Sequence, residues 1–234
     1  MRKRLGSLAL LLCFWLLTDL SAIHAQQSDV HRLSLHFDGF SIETEYLEHE
    51  VYLVEYDTPL EKGFEIKCNE SSETIDRYTL SKSFDTLNYG VDSLVLPISL
   101  SSGYYIQEIN RDYVLRKFNT TAIFRTTIHL EIYHWNNFRQ INRVLNGGLR
   151  AVSNGQWTIE SPVVSSISTT GIFPTTKVQV QSSGVATIQY GNAIESGYSF
   201  SFLDYFGWNV TSSTSTSSYI RKYISNSYTI SLYP

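Results

Sequence analysis

The chain has 234 residues, 42% of them hydrophobic, with 18 lysines and arginines against 22 aspartates and glutamates, a formal charge of −4 at pH 7. That length suits one large domain or two small ones, and a net negative chain is repelled by phosphate backbones, so nucleic acid is not an expected partner. The sequence contains no G-x-S-x-G elbow, H-E-x-x-H pair, phosphate-cradling glycine loop or C-x-x-C pair, which removes the best-marked enzyme classes.

Residues 1–25 read as an export signal: Arg2, Lys3 and Arg4 precede an apolar run from Leu5 to Leu17, and "AIHA" ends on the small residue Ala25. Asp19 and Ser21 interrupt the run before it reaches the roughly 20 apolar residues of a membrane-spanning helix, and no second run follows. The expected product is cut near Ala25 and is secreted, periplasmic or held at the cell surface, with no transmembrane helix. Cleavage removes three bases and Asp19, so the charge moves from −4 to −6. Only Cys68 then remains, which forbids an internal disulfide. A buried small hydrophobe is the expectation for Cys68, and a disulfide-linked dimer is the alternative.

Along the mature chain the hydrophobic period is two, as in half-buried strands. Leu33, Leu35 and Phe37 alternate with polar residues, as do Phe40, Ile42 and Tyr46, and Asp38-Gly39 between them is a turn signal. "TTIHLEIYHW" alternates Ile128, Leu130 and Ile132 against His129, Glu131 and Tyr133. The period then changes: Trp135, Phe138, Ile141, Leu145 and Leu149 recur at three and four, predicting an α-helix over 136–150 with an asparagine cap and Gly147-Gly148 at its end. "KVQVQSSGVATIQY" predicts a hairpin with Ser182-Ser183-Gly184 as its loop. The serine and threonine run at 211–218 has no proline and is expected to be an exposed strand or loop within the fold.

Charge density falls near residue 150. Residues 26–150 carry 30 charged side chains, whereas 151–220 carry four, and 28 of the 84 residues after position 150 are serine or threonine. This predicts an acidic β-rich part over 26–150 and a nearly uncharged β part over 151–234, either as separate domains or as one continuous domain. The fold class expected is mainly β, an antiparallel β-sandwich with one prominent helix around 136–150.

Candidate sites are few. In "LDYFGWN", Asp204, Tyr205 and Trp208 suit sugar recognition, rings stacking on a pyranose face and polar groups taking hydroxyls. The competing expectation places Phe200, Phe202, Phe206 and Trp208 in the core of a strand bulged at Gly207. His36 with Asp38, and His129 with Glu131, are two-residue metal pairs that need each other to reach three or four ligands. The run Glu43, Glu45, Glu48, Glu50, Glu55, Asp57 and Glu61 contains no lysine or arginine; the expectation is an exposed strand face and turn whose like charges blunt edge pairing, with a calcium site as the lesser alternative. Sequons stand at Asn69, Asn119 and Asn209, about as many as chance places.

The 16 tyrosines favour extracellular recognition, because tyrosine offers rigid amphipathic contact area. The resulting expectation is an exported, non-enzymatic binding protein for a cell-surface or extracellular glycan or protein. A pore-forming or outer-membrane β-protein is the first alternative, and a secreted hydrolase with an unrecognised site is the second.

Overall fold

The computed structural model describes residues 30–47, 51–58, 61–81, 102–117, 120–153, 156–195, 197–214 and 217–232. Residues 1–25, where an export signal is expected, and Asn119 lie outside the described residues. The strands are β1 (Val30–Phe37), β2 (Phe40–Leu47), β3 (Val51–Asp57), β4 (Glu61–Cys68), β5 (Thr74–Ser81), β6 (Ser102–Lys117), β7 (Thr120–Trp135), β8 (Phe138–Ala151), β9 (Thr158–Ser168), β10 (Lys177–Gln189), β11 (Asn209–Thr214) and β12 (Ser217–Leu232). Two short helices, α1 (Tyr190–Glu195) and α2 (Phe200–Tyr205), lie between β10 and β11. Among the described residues, no helix is long and apolar enough to cross a membrane.

The chain is mainly β and its sheets are antiparallel. Strands β3 to β8 form one sheet in sequence order; the other is ordered β1-β2-β12-β10-β9, with β11 also paired to β12. The second sheet therefore joins the charged start of the chain to its serine-rich end. The sheets pack face to face: Phe37 of β1 meets Phe64 of β4 edge-on at 4.9 Å, and Tyr228 of β12 meets Tyr78 of β5 at 5.6 Å. A two-residue bridge closes one side, Ile141 and Thr175 exchanging backbone hydrogen bonds of 2.7 and 2.9 Å.

The hairpin expected at Asp38-Gly39 forms, with Phe37 opposite Phe40 and Gly39 at φ +78°, a conformation that costs glycine little. The expected helix over 136–150 does not. Asn136-Asn137 is a tight turn with Asn136 at φ +52°, and β8 returns along β7 with Phe138 opposite Trp135. The register of this pair shifts twice, between His129 and Leu130 and between Glu131 and Ile132. Each shift inserts an extra residue into β8, and a bulge re-phases the alternation of faces. Ile141 and Val144 thus stand opposite the buried Ile132 and Leu130 although only three residues apart, a spacing that imitates a helical stripe.

The hairpin expected over 177–190 is also replaced, by the single strand β10, which pairs without a break with β12 from Lys177↔Ser231 to Gln189↔Tyr219. Val178, Val180, Ser182, Gly184, Ala186 and Ile188 keep one parity through the supposed loop, and all six are buried. The "SFLDYF" segment is helical rather than a bulged strand. Ser199 caps α2 by accepting from the Phe202 N–H, and Gly207 at φ +65° ends it while Trp208 N–H returns to the Leu203 carbonyl.

Strands of 16 residues are roughly 50 Å long, and one hydrophobic core does not fill that length. Two clusters form instead. The first contains Leu35, Ile42, Ile66, Ile109, Ile128, Leu130, Val180 and Ile230; the second contains Phe124, Trp157, Ile188, Phe202, Trp208, Ile220 and Ile224. At the boundary each long strand replaces an apolar residue by a polar one: Arg111 between Ile109 and Tyr113, Thr126 between Phe124 and Ile128, Ser182 between Val180 and Gly184, and Asn226 between Ile224 and Tyr228. Arg111 pairs with Thr126 in one sheet, and Ser182 with Asn226 in the other.

Candidate functional site

This polar layer is fully wired. Thr126 Oγ1 and Ser182 Oγ lie 2.8 Å apart across the sheets, Ser182 Oγ donates to Asn226 Oδ1 at 2.8 Å, and Asn226 Nδ2 donates to Thr126 Oγ1 at 3.4 Å. Beside it, Arg111 Nε and Nη2 both donate to Asp76 Oδ2, at 2.9 and 2.7 Å, and Tyr46 Oη donates to the same oxygen at 2.6 Å. Asp76 Oδ1 accepts from the Arg77 N–H at 3.1 Å. The Arg111 guanidinium lies 5.3 Å from the Tyr78 ring and 5.7 Å from the Tyr228 ring, so aromatic faces supply part of the solvation it has lost. Burial pushes the Asp76 carboxyl and the Tyr46, Tyr78 and Tyr228 phenols upward, leaving the three phenols protonated at neutral pH.

Above this cluster the sheet carrying β12 is incomplete. One edge of β12 is paired with β10 from Tyr219 to Ser231. The other edge is shared: β2 pairs only with Tyr228–Leu232, and β11 only with Ser217–Arg221. Among the described residues, no strand pairs with residues 222–227 on that edge. Where β2 leaves β12, a cavity of about 540 Å³ opens, lined among others by Arg32, Glu45, Ser225, Asn226 and Ser227, with Arg111 and Tyr228 in its wall. Arg111 Nη1 reaches through the sandwich to the Ser227 carbonyl at 3.3 Å. Tyr78 Oη donates to Thr44 Oγ1 at 2.9 Å, whereas the buried Tyr228 Oη has no partner among the described residues. A buried hydroxyl without a partner costs about 1–3 kcal/mol, so it is a group to which a ligand atom is worth most. The slot therefore combines a balanced buried charge, an unfilled hydroxyl and an unpaired strand edge.

The residues selected from sequence are placed elsewhere. Asp204 and Tyr205 are exposed on α2, but Trp208 is only 7% exposed, 4.6 Å from Trp157 in the second core. Its ring has no free face for a sugar, which separates Trp208 from its two intended partners. His36 and Asp38 belong to the β1–β2 hairpin and His129 and Glu131 to β7 in the opposite sheet, so the pairs do not meet. His129 Nε2 contacts Glu108 at 3.0 Å, and Glu131 is held by Arg143 at 2.8 and 3.0 Å and Asn142 at 2.7 Å. Among the described residues, no group of three or more histidine, cysteine or acidic side chains is placed to hold a metal.

The acidic run is divided between the sheets and partly paired. Glu43 meets Lys177, Glu45 meets Arg32 and Glu55 meets Lys62. Glu48 and Glu50 lie outside the described residues. Asn69 and Asn209 are exposed. Cys68, at the end of β4, is half-buried and unpaired, and the Ser71 backbone N–H draws its thiol below the usual value.

Sequence reasoning missed Arg111, Asp76, Tyr46, Asn226 and Tyr228. The available signal was a polar residue at an inward-facing parity in four alternating runs, but only the pairing of those runs shows that the four meet. No family model, no curated protein and no solved structure matches this chain.

Proposed function

We propose that this protein is exported and acts by binding, recognising an extracellular glycan or protein through the slot between β2, β11 and β12. One observation carries the proposal: among the described residues a stretch of the β12 edge is left unpaired beside a cavity that Tyr228 lines, and the buried Tyr228 hydroxyl has no partner there. Such a place rewards a ligand that brings hydrogen-bonding groups, and a rigid two-sheet frame holds those groups in position before binding.

The test uses wild type, Ser227→Trp and Ser34→Trp on two defined probes, an array of extracellular glycans and an array of synthetic octapeptides. Ser227 is exposed on the slot side of β12, where a large ring obstructs the opening, whereas Ser34 is exposed on β1. Binding by wild type that Ser227→Trp abolishes and Ser34→Trp keeps supports the slot. Absence of binding to both arrays, or equal binding by all three chains, overturns it.

A second reading is favoured by a separate observation. At the far end of β6–β8, Trp135 and Phe138 are 56% and 48% exposed, and Tyr104 and Tyr133 lie 5.1 Å apart on the same sheet. Gln140, Asn142 and Arg143 adjoin these rings on β8. Rings beside hydrogen-bonding side chains suit stacking on a glycan, and this reading predicts glycan binding that Trp135→Ala removes and Ser227→Trp leaves intact.

A further inference from the structure

The direction of the β12 backbone groups identifies what the slot can take. Successive residues of a strand turn their N–H and C=O groups toward opposite edges. Leu232 donates its N–H to the Thr176 carbonyl, on the β10 side, and β10 pairs with β12 without a register shift. Even-numbered residues of β12 therefore face β10. Odd-numbered residues face the other edge, in agreement with the Arg111 contact to the Ser227 carbonyl. In the stretch that no described strand pairs these are Tyr223, Ser225 and Ser227, all exposed, of which the Ser227 carbonyl already accepts from Arg111. Their backbone groups repeat at roughly 7 Å, the two-residue repeat of a strand. Every backbone donor and acceptor requires a partner or water, and flanking strands β2 and β11 already use the same edge.

We propose that the slot binds an extended polypeptide segment, which adds to the edge of β12 at Tyr223–Ser227 and completes the row between β2 and β11. This rests on the binding function proposed above and specifies its ligand. The opening of residues 222–227 is roughly 20 Å long, enough for a segment of about six residues. Backbone pairing supplies affinity in this mode, and pockets for alternate side chains supply selectivity. The pocket here is the wall formed by Arg111 and Tyr228. Because Asp76 already balances Arg111, a carboxylate there would bring an excess buried charge, whereas an uncharged serine, threonine, asparagine or glutamine can meet the Tyr228 hydroxyl.

The experiment uses the full mature chain and an arrayed library of acetylated, amidated octapeptides lacking proline and cysteine, with a glycan array beside it. Expected is a set of bound octapeptides sharing an uncharged polar residue at one position. Their binding should weaken about tenfold or more when backbone amides on one parity are N-methylated, and far less when the other parity is methylated. Tyr228→Phe, which removes one oxygen and keeps the ring, should weaken the same peptides while preserving the fold. Failure of every octapeptide, or equal binding of both methylated series, overturns strand addition. Glycan binding abolished by Ser227→Trp, with no peptide bound, rejects the polypeptide ligand but keeps the slot; silence on both arrays rejects both.

Discussion

Arg111 and Asp76 form a pair in which two guanidinium nitrogens converge on one carboxylate oxygen, with side chains 7% and 1% exposed. Taking both charges out of water is costly, and removing one partner leaves the other buried and uncompensated. Arg111→Met should therefore lower unfolding free energy by about 3–5 kcal/mol in urea denaturation. Asp76→Leu combined with Arg111→Met should cost much less than the sum of the single changes. Additive losses would mean that the two charges do not depend on each other.

The Tyr228 hydroxyl makes the opposite prediction in the free protein. It is buried without a partner, so Tyr228→Phe keeps the contact with the Tyr78 ring and removes an unsatisfied polar group. The variant should be more stable by about 1 kcal/mol or more in urea denaturation. A site that gains stability when truncated and loses ligand at the same time is holding a group for recognition rather than for folding.

The wired trio of the polar layer should behave as a unit. Thr126→Val takes one of two partners from the Ser182 hydroxyl and leaves the Asn226 amide nitrogen without its acceptor, and should cost about 1–3 kcal/mol. Thr126→Val with Ser182→Ala and Asn226→Leu should recover part of that loss, because no buried polar group is left unpaired. Calorimetric melting of the single and triple variants measures the difference.

How much of this was legible in the sequence depended on distance along the chain. The β1–β2 hairpin was readable because Asp38-Gly39 and clean alternation act within one local stretch. β8 was not, since its bulges bring Ile141 and Val144, three residues apart, onto one inward face and so imitate a helical spacing. β10 was misread because Ser182-Ser183-Gly184 has turn composition, while its true role, a polar layer at unchanged parity, is visible only beside Asn226 and Thr126. Arg111 and Ser227 are 116 residues apart, and nothing local marks their contact.

Trp208 illustrates the same limit. Its setting against Phe124 and Trp157 makes it a core residue, and Trp208→Ala should cost about 3–5 kcal/mol of stability. Asp204→Ala and Tyr205→Ala, at exposed positions of α2, should change stability by about 0.5 kcal/mol or less. Urea denaturation of the three variants separates a structural ring from surface side chains.

Acid should loosen the outer face of the β3–β8 sheet. The Arg143 hydrogen bonds, then Asn142, hold the Glu131 carboxyl below the ordinary glutamate value of 4.5. A carboxyl lowered in the folded state contributes stability that is present above that value and is lost as pH falls through the folded value. Melting temperature should therefore drop as pH is lowered below 4.5, and Glu131→Gln should make that slope shallower. An unchanged slope in the variant would show that Glu131 contributes nothing to acid loss.

Among the described residues one edge of β12 is open between its two flanking partners, and amide hydrogen exchange of the free chain measures this directly. Amides of Tyr223 and Ser225 should exchange far faster than those of Thr229 and Ser231, while Lys222, Ile224 and Asn226, turned toward β10, remain protected. Uniform slow exchange along 222–232 would show an edge already covered and would contradict the account.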